Sequence, residues 1–352
     1  MPVYHKALID HILEASPGIR NYEVDSVYFG GGTPSYYGAE RLLELFDILK
    51  LNGNVRTDAE VTVECNPDSM DYKELLALRE EGVNRLSVGV QAADDSLLKL
   101  LSRRHSWAQA QAAYHDARRA GFDNISVDLM YGLPTQTARD WADTLARVCE
   151  LHPEHISCYA LKLEEGTPMY EEYLNSPVLP DDDAQADMYL YAVDFLAENG
   201  YGQYEISNFA RPGFASRHNL RYWQLAEYAG FGPGAHSDFG GVRYAFSRDL
   251  DGYIAGKRTL SEETRITPAE RAREAVMLGL RTAEGISPSL LETRYGVPFA
   301  PLEKLFQTYA RHGLAAPAHS GWRLTPRGFL VSNAIIGQVL QAMDTSALTQ
   351  EE

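Results

Sequence analysis

The chain has 352 residues and a formal net charge of −17. That length can bury the core of one barrel-sized domain and of a smaller one. The negative charge argues against a general binder of nucleic acid or of anionic membranes, since both surfaces would repel it. No stretch approaches the roughly 20 apolar residues of a membrane-spanning segment. The three cysteines, Cys65, Cys149 and Cys158, are widely separated, so the predicted setting is a reducing cytoplasm.

Helix-like and strand-like patterns alternate through the first half of the chain. An amphipathic helix is predicted over residues 3–15, ended by Pro17 and Gly18. Strands follow at 27–29, 61–64, 85–91, 125–130 and 155–163, with helices at 40–50, 72–81, 95–101, 108–120 and 138–151. Repeated strand–helix units imply an α/β fold with a parallel sheet. Because a helix comes first, we expect a partial (β/α)6 barrel that lacks its first strand.

The second half of the chain changes character. Asp181, Asp182 and Asp183 mark a helix N-terminus, where negative charge complements the helix dipole. A sheet extension is predicted at 204–209 and a glycine-rich return at 228–239. The expected domains are a barrel with its extension over 1–240, a linker over 241–267 and a small, mainly α, winged-helix-like domain over 268–352. This last domain has no basic recognition helix, so it is predicted to pack or dock rather than read DNA.

The segment from Val27 to Ser35 contains Gly30, Gly31, Gly32 and Thr33 directly after a predicted buried strand. One glycine would suffice for a turn, whereas three in a row leave bare backbone where a ligand can approach. Glu64, Gln91 and Asp128 lie at the ends of later strands. A polar group inside an apolar strand is costly unless it is paired or faces a site. Since a barrel gathers its strand ends on one face, these residues predict a polar binding site.

The glycine segment and the segments at Glu64, Gln91, Arg103 and Asp128 resemble, in order and spacing, the radical S-adenosylmethionine (SAM) core of the oxygen-independent coproporphyrinogen III oxidase-like family, which includes HemW-type haem chaperones. The resemblance covers about residues 24–239. It implies that the chain contacts SAM through Gly31, Gly32, Thr33, Glu64, Gln91, Arg103, Asp128 and Ala160. An arginine suits the SAM carboxylate because its donors form a planar pair. Arg104 is the alternative if the register differs by one residue.

A second motif is His218-Asn219-Leu220-Arg221-Tyr222-Trp223. On a helix, His218 and Tyr222 share one face, and Trp223 offers a flat apolar surface nearby. Imidazole is a common ligand of haem iron. The motif resembles the one that separates haem chaperones from the true oxidases, and the Gly234-Ala235-His236 run is similar to theirs. The resemblance implies haem binding by His218, Tyr222, Trp223 and His236, with His218 as the iron ligand.

The sequence departs from the family in one respect. Radical SAM proteins hold a 4Fe–4S cluster with three closely spaced cysteines, and no such triplet occurs here. Cys65 and Cys158 are interpreted as small core residues. The expected explanation is a start placed too far downstream, and the alternative is a gene that has lost the front of its barrel. Without the cluster, SAM binding is in question and radical chemistry is not expected.

The leading hypothesis is therefore a cytoplasmic HemW-like chaperone that holds haem and delivers it to haem-requiring proteins such as respiratory enzymes. The alternative is an oxygen-independent coproporphyrinogen III oxidase of porphyrin biosynthesis, which the motif at His218 disfavours. A third reading is a remnant that binds neither ligand. Nucleic acid and a membrane-spanning segment are not expected, and a homodimer remains open.

Overall fold

The computed structural model describes residues 1–348, so residues 349–352 of the predicted C-terminal domain lie outside it. No helix in residues 1–348 is both long and apolar enough to cross a bilayer. The helices are α1 (Pro2–Ile19), α2 (Ala39–Asn52), α3 (Tyr72–Glu80), α4 (Asp95–Leu100), α5 (Trp107–Arg119), α6 (Ala138–Cys149), α7 (Pro168–Tyr173), α8 (Asp182–Glu198), α9 (Arg217–Trp223), α10 (Leu250–Ile254), α11 (Pro268–Gly279), α12 (Ala300–Arg311), α13 (Pro326–Leu330) and α14 (Ser332–Leu348). A 3₁₀ turn (Pro34–Tyr37) and a π-helical turn (Ser289–Arg294) complete them.

The strands form three sheets. They are β1 (Glu23–Phe29), β2 (Asn54–Cys65), β3 (Arg85–Gln91), β4 (Ile125–Tyr131), β5 (His155–Ala160), β6 (Gly202–Gln203), β7 (Asn208–Ala210), β8 (His236–Phe239), β9 (Val242–Phe246), β10 (Leu260–Arg265), β11 (Ala315–Pro317) and β12 (Trp322–Leu324). The main sheet has the order β1-β2-β3-β4-β5-β7-β6 and is curved into a half-barrel. Strands β2 to β5 pair in parallel. At one edge of the sheet, β7 pairs antiparallel with β5 and with β6. The predicted partial barrel is confirmed.

Two details differ from the sequence-based expectation. Helix α1 does not end before Pro17 but continues through it to Ile19. Proline lacks an N–H, so the helix forgoes the hydrogen bond that residue 17 would otherwise donate to the carbonyl of residue 13. The segment predicted as a linker, residues 241–267, contains β9, α10 and β10, and β9 pairs with both β8 and β10. The domain limits drawn from the sequence stay a proposal.

The chain divides into two compact units. The first comprises residues 1–25, 44–59 and 216–352, and the second comprises residues 26–43 and 60–215. The second unit carries most of the main sheet, and its helices begin at well-formed caps. Capping boxes at Asp71, Ser106 and Thr137 start α3, α5 and α6, each satisfying helix N–H groups that have no partner within the helix.

Strand residues in the second unit alternate between an apolar and a polar face. On β3 and β4, Leu86, Val88, Ile125 and Val127 are buried on one face, as expected of a sheet covered by helices. The residues between them point to the concave face, which we call the lumen. Lumen positions carry polar side chains: Thr62, Glu64, Arg85, Ser87, Ser126, Asp128, His155 and Ser157.

In the first unit, His11 of α1 is buried beside α10. Its Nδ1 lies 3.0 Å from Tyr253 Oη and accepts from the Gly232 N–H at 3.4 Å, and its ring packs edge-on against Phe246 at 4.5 Å between centroids. Burial, with the nearby Arg258 charge, lowers the pKa of His11 to about 4. The folded protein therefore holds His11 neutral at pH values where the unfolded chain takes up a proton.

This difference predicts a loss of stability in mild acid. Because the folded pKa lies below the unfolded value, the contribution of His11 is complete above about pH 6.5 and is lost as the pH falls towards 4. We expect His11 to account for about 2 kcal/mol of the fall in unfolding free energy between pH 7 and pH 5. Urea unfolding of His11→Gln at both pH values measures it. The control is His319→Gln, which replaces an exposed histidine. It should leave the difference in unfolding free energy between pH 7 and pH 5 unaltered.

An ion-pair network fixes the β8–β9 hairpin to α11. Asp238 accepts from Arg271 at 2.7 and 2.9 Å and from Arg243 at 2.7 Å. Glu274 accepts from Arg243 at 2.6 and 3.0 Å and from Arg271 at 3.3 Å. Burial favours the neutral acid, but the hydrogen bonds from both arginines outweigh it and hold the pKa of Asp238 below its usual value. Two positive and two negative groups thus compensate one another.

Candidate ligand sites

The lumen of the second unit has a closed floor and an open mouth. Thr62, Arg85, Ser126 and His155 form the floor and are almost completely buried. Further along the same strands, towards their carboxyl ends, Glu64, Asp128 and Tyr159 are half-buried or exposed. Ligand sites of such barrels are built at this end. The polar residues predicted to bind a ligand therefore stand at the mouth, above a polar floor.

The three glycines after β1 serve different purposes. Gly31 and Gly32 have φ angles of +86° and +121°, which L side chains rarely adopt, and a Cβ on either would meet no atom within 4 Å. Gly30 is needed for space instead, because its Cβ would lie 2.6 Å from Tyr28 Cε1 and 3.0 Å from Glu64 Oε1. The segment thus leaves open space beside Gly31 and Gly32 and packs closely only at Gly30.

Gly30→Ala should consequently disturb the site. The new methyl group must displace the Tyr28 ring or Glu64, and this disrupts the 2.8 Å hydrogen bond that Tyr28 donates to the partly buried Glu64 carboxylate. We expect a loss of about 1–3 kcal/mol in the free energy of unfolding, measured in urea. Gly18→Ala is the control, because its Cβ would have no neighbour within 4 Å and it lies in a helix. An equal effect in both variants would contradict the packing argument.

Glu64 is the first acidic group at the mouth. Tyr28 Oη donates to its Oε1 at 2.8 Å, and the Gly31 backbone N–H also donates to the carboxylate. Burial raises the pKa of Glu64, and the negative charge of Asp128 adds to this, while the two hydrogen bonds oppose it. Glu64 is therefore hydrogen-bonded to the glycine segment, and it lies close enough to Asp128 for the two carboxyl groups to interact electrostatically.

Asp128 is the second acidic group, and serines from three strands hold it. Ser87 donates to Oδ2 at 2.7 Å, Ser157 donates to Oδ1 at 2.7 Å and Ser126 donates to Oδ1 at 3.1 Å. A carboxylate accepts about four hydrogen bonds. Three are used here, so the described residues leave Asp128 one acceptor position, on Oδ2.

Arg103 lines a cavity of about 350 Å³ with Tyr36, Asn66, Asp68, Ser102, Arg104 and His105. It donates to Asn66 Oδ1 at 3.2 Å, and no carboxylate of the described residues lies within 4 Å of its guanidinium. Partial burial lowers the pKa of Arg103, with negative charges nearby acting against it. An incompletely paired cation on a cavity suits a carboxylate ligand. Arg104 is more exposed, which favours the register that assigns the contact to Arg103.

Gln91 and Ala160 complete the predicted SAM contacts. Gln91 is buried at the end of β3 with a φ of +70°. A Cβ atom built on Gly89 would lie 2.9 Å from Gln91 Nε2 and 3.4 Å from Asn66 Oδ1. The Gln91 amide therefore lies near Asn66, which accepts a hydrogen bond from Arg103. Ala160 is exposed at the end of β5, where its backbone is accessible. Thr33 is half-buried and directly precedes the 3₁₀ turn.

The first unit contains the second predicted site, on α9. His218 Nε2 lies 2.9 Å from Tyr222 Oη, and the two rings meet edge to face at 5.1 Å, so both side chains share one face of the helix as predicted. Burial raises the pKa of Tyr222 to about 12, helped by Tyr228. The phenol is therefore protonated, and the tautomer of His218 decides which of the two groups donates this hydrogen bond. Tyr222 nevertheless exposes 42% of its surface, so the pair is accessible.

Trp223 and His236 are the other two residues predicted to contact haem. Trp223 is half-buried at the end of α9, and His236 is exposed at the start of β8. The Tyr222 ring packs against Tyr228 at 4.7 Å, and the Tyr228 backbone pairs with Asp238, two residues after His236. The aromatic contact therefore connects the predicted haem motif on α9 with the strand that carries His236.

Comparison with known proteins assigns the chain to a family. Residues 4–148 match the radical SAM superfamily and residues 266–331 match the HemN C-terminal domain. The chain is 35% identical to the haem chaperone HemW of Bacillus subtilis over 344 residues, 96% of this chain and 91% of the relative. This chain belongs to the HemW family. It is also 34% identical to the bovine mitochondrial radical S-adenosyl methionine domain-containing protein 1, over 93% of this chain and 77% of the relative.

The HemW family shares its architecture with a structurally known enzyme. Coproporphyrinogen III oxidase (HemN) from Escherichia coli superposes with a TM-score of 0.81 at 26% identity, covering 97% of this chain and 82% of that one. The family and the fold expected from the glycine segment and the strand-end residues are therefore confirmed.

The cysteines of this HemW-family chain do not fit an iron–sulfur cluster. Cys65, Cys149 and Cys158 are all buried, and the described residues contain no group of three His, Cys, Asp or Glu side chains that could hold a metal. Burial raises the pKa of Cys65 to about 12 and that of Cys149 to about 11, and it raises the pKa of Cys158 well above its usual value. Thiols that resist ionisation are poor cluster ligands.

Sequence reasoning missed the residues that support Asp128 and Glu64. Tyr28, Ser87, Ser126 and Ser157 make the hydrogen bonds described above, and His155 contacts Ser126. A signal was present in the sequence. Polar residues recur at every second position of β2 to β5, which is the period that places side chains on one face of a sheet.

Proposed function

We propose that this protein is a haem chaperone that binds haem and hands it to haem-requiring proteins such as respiratory enzymes. The observation that carries the proposal is the accessible His218–Tyr222 pair on α9 in a chain of the HemW family. Imidazole nitrogen is a good ligand of haem iron, and aromatic rings pack on porphyrin faces. We assign the iron ligand to His218, with Tyr222, Trp223 and His236 as haem contacts.

Iron binding at Nε2 of His218 requires the Tyr222 hydroxyl to move away. A single exposed hydrogen bond contributes only about 1 kcal/mol, so its loss is small beside the formation of a metal–ligand bond. The exposed position of the pair also suits a chaperone, because a cargo that must be transferred needs a site that another protein can reach.

We further propose that the lumen mouth binds SAM through Gly31, Gly32, Thr33, Glu64, Gln91, Arg103, Asp128 and Ala160. Arg103 supports this, since it faces a cavity without a carboxylate partner among the described residues. In radical SAM proteins a 4Fe–4S cluster supplies the electron that cleaves SAM. The cysteines here do not fit that cluster, so the haem function proposed above uses no cluster-dependent step.

Haem titration followed by transfer tests the proposal. Adding hemin to the full chain should shift the Soret band and saturate at a defined stoichiometry. Subsequent addition of apomyoglobin, as an acceptor of stated identity, should produce holomyoglobin. Absence of a Soret shift would refute haem binding, and the remnant hypothesis would then stand. The oxidase alternative predicts vinyl products from coproporphyrinogen III under anaerobic conditions, and detection of any would favour it.

The cellular setting follows from the same proposal. We propose a cytoplasmic location, which the free, buried cysteines support because such thiols persist in a reducing compartment. The haem acceptors are expected to be haem-requiring proteins.

A further inference from the structure

A chain of hydrogen bonds runs beneath Asp128 into the lumen floor. Asp128 Oδ1 accepts from Ser126 Oγ at 3.1 Å, Ser126 Oγ lies 2.8 Å from His155 Nδ1, and His155 Nε2 lies 2.8 Å from Tyr204 Oη. Ser126 and His155 are completely buried, whereas Asp128 is half-buried at the mouth. The chain therefore supports from below the one acidic group that three strands hold in place.

The directions of the two hydrogen bonds to His155 depend on which ring nitrogen carries the hydrogen. Burial, with the nearby Arg85 charge, lowers the pKa of His155 well below its usual value, so the ring is neutral and carries one N–H. Asp128 as a carboxylate can only accept, and Ser126 has a single hydrogen to give. If Ser126 donates to Asp128, it must accept from His155 Nδ1–H, and Nε2 must accept from Tyr204. The opposite tautomer would turn Ser126 away from Asp128.

We propose that His155 is a positioning residue that acts on Asp128 through Ser126. As the Nδ1–H tautomer it fixes Ser126 as a donor to Oδ1, and Ser157 donates to the same oxygen. Oδ1 is then fully used, and the open acceptor position lies on Oδ2 beside the Ser87 hydroxyl. The site accepts one hydrogen-bond donor from the ligand at Asp128, such as a single hydroxyl. This inference rests on the proposed SAM site at the lumen mouth.

The tautomer can be read directly. Long-range ¹H–¹⁵N spectra of the ¹⁵N-histidine-labelled full chain distinguish Nδ1–H from Nε2–H rings, and the His155 signals are identified by their loss in His155→Asn. We expect a neutral Nδ1–H ring across pH 6–8. A neutral Nε2–H ring would overturn the proposal, whether or not SAM binds, because Ser126 would then donate to the histidine.

Two substitutions of His155 test whether its N–H group affects ligand binding at Asp128. His155→Asn keeps an N–H donor near the Nδ1 position, whereas His155→Leu removes it at similar volume. Calorimetric titration with S-adenosylhomocysteine should show binding about tenfold weaker for His155→Leu and within about threefold of the parent chain for His155→Asn. Equal losses in both variants would indicate a merely structural role.

A ligand-independent readout separates this inference from the proposed SAM site. If the parent chain binds neither SAM nor S-adenosylhomocysteine, the SAM proposal fails, and crystal structures of the two variants decide the positioning role. We expect the Asp128 carboxylate to rotate in His155→Leu and to keep its place in His155→Asn. An unmoved carboxylate in both would refute the inference. Tyr204→Phe, which removes the donor to Nε2, takes the place of His155→Leu if that variant does not fold.

Discussion

Replacing His218 by alanine is expected to weaken haem binding by roughly a hundredfold or more, because loss of an outer partner of a metal ligand alone costs tenfold to a hundredfold. The variant should fold normally, since His218 is only half-buried on a short surface helix. Hemin titration followed by the Soret band measures the affinity. A Soret spectrum and an affinity equal to those of the parent chain would contradict the assignment of His218 as iron ligand.

Two further variants sharpen that result. Tyr222→Phe keeps the imidazole but removes the hydroxyl that lies 2.9 Å from Nε2, so it should bind hemin at least as tightly as the parent chain. His319→Ala removes an exposed histidine outside the motif and should have no effect. If Tyr222→Phe lost haem as completely as His218→Ala, the phenol oxygen rather than the imidazole would be implicated in iron binding.

The second large effect concerns stability. Asp238→Ala leaves Arg243 and Arg271 with only Glu274 to offset them, and removing the buried acidic partner of a partly buried ion-pair network is destabilising. We expect a loss of about 3 kcal/mol in the free energy of unfolding, measured in urea at pH 7. Because the pKa of Asp238 is lowered by folding, its contribution is present above the unfolded value and is lost as the pH falls below about 3.8.

An exposed ion pair provides the comparison. Lys6 and Asp10 are one turn apart on α1 and largely exposed, so Asp10→Ala should cost less than about 1 kcal/mol. High salt should reduce that small difference and leave the effect of Asp238→Ala nearly unchanged, since partly buried pairs are screened less. A loss at Asp238 no larger than that at Asp10 would show that the network is dispensable.

Residue patterns predicted the parallel half of the fold well. Strand β3 begins and ends at the predicted residues, and Glu64, Gln91 and Asp128 lie at or near strand ends as expected. These positions could be identified because a charged or amide group inside a strand is costly unless it is paired or faces a site. The glycine segment was equally informative, because three consecutive glycines exceed what a turn requires.

Other features depend on contacts distant in sequence. The strands at 242–246 and 260–265 lie in the segment predicted as a linker. Strand β10 is exposed along its whole length and is polar after Leu260, so its pairing with β9 is what defines it as a strand. The link from His155 to Asp128 joins residues of two strands through a serine, and a buried histidine alone does not indicate what it contacts. Roles of individual residues in SAM and haem binding remain predictions.

The discontinuous make-up of the first unit has a consequence for synthesis on the ribosome. His11 on α1 finds its partner Tyr253 242 residues later in the chain. At about 5–20 residues per second, translation takes roughly 12–50 s to produce that partner. Throughout this interval the apolar side of α1 lacks its native cover, while the strands of the second unit are already emerging. The nascent chain therefore passes through a stage in which early binding by a general folding factor would suppress aggregation.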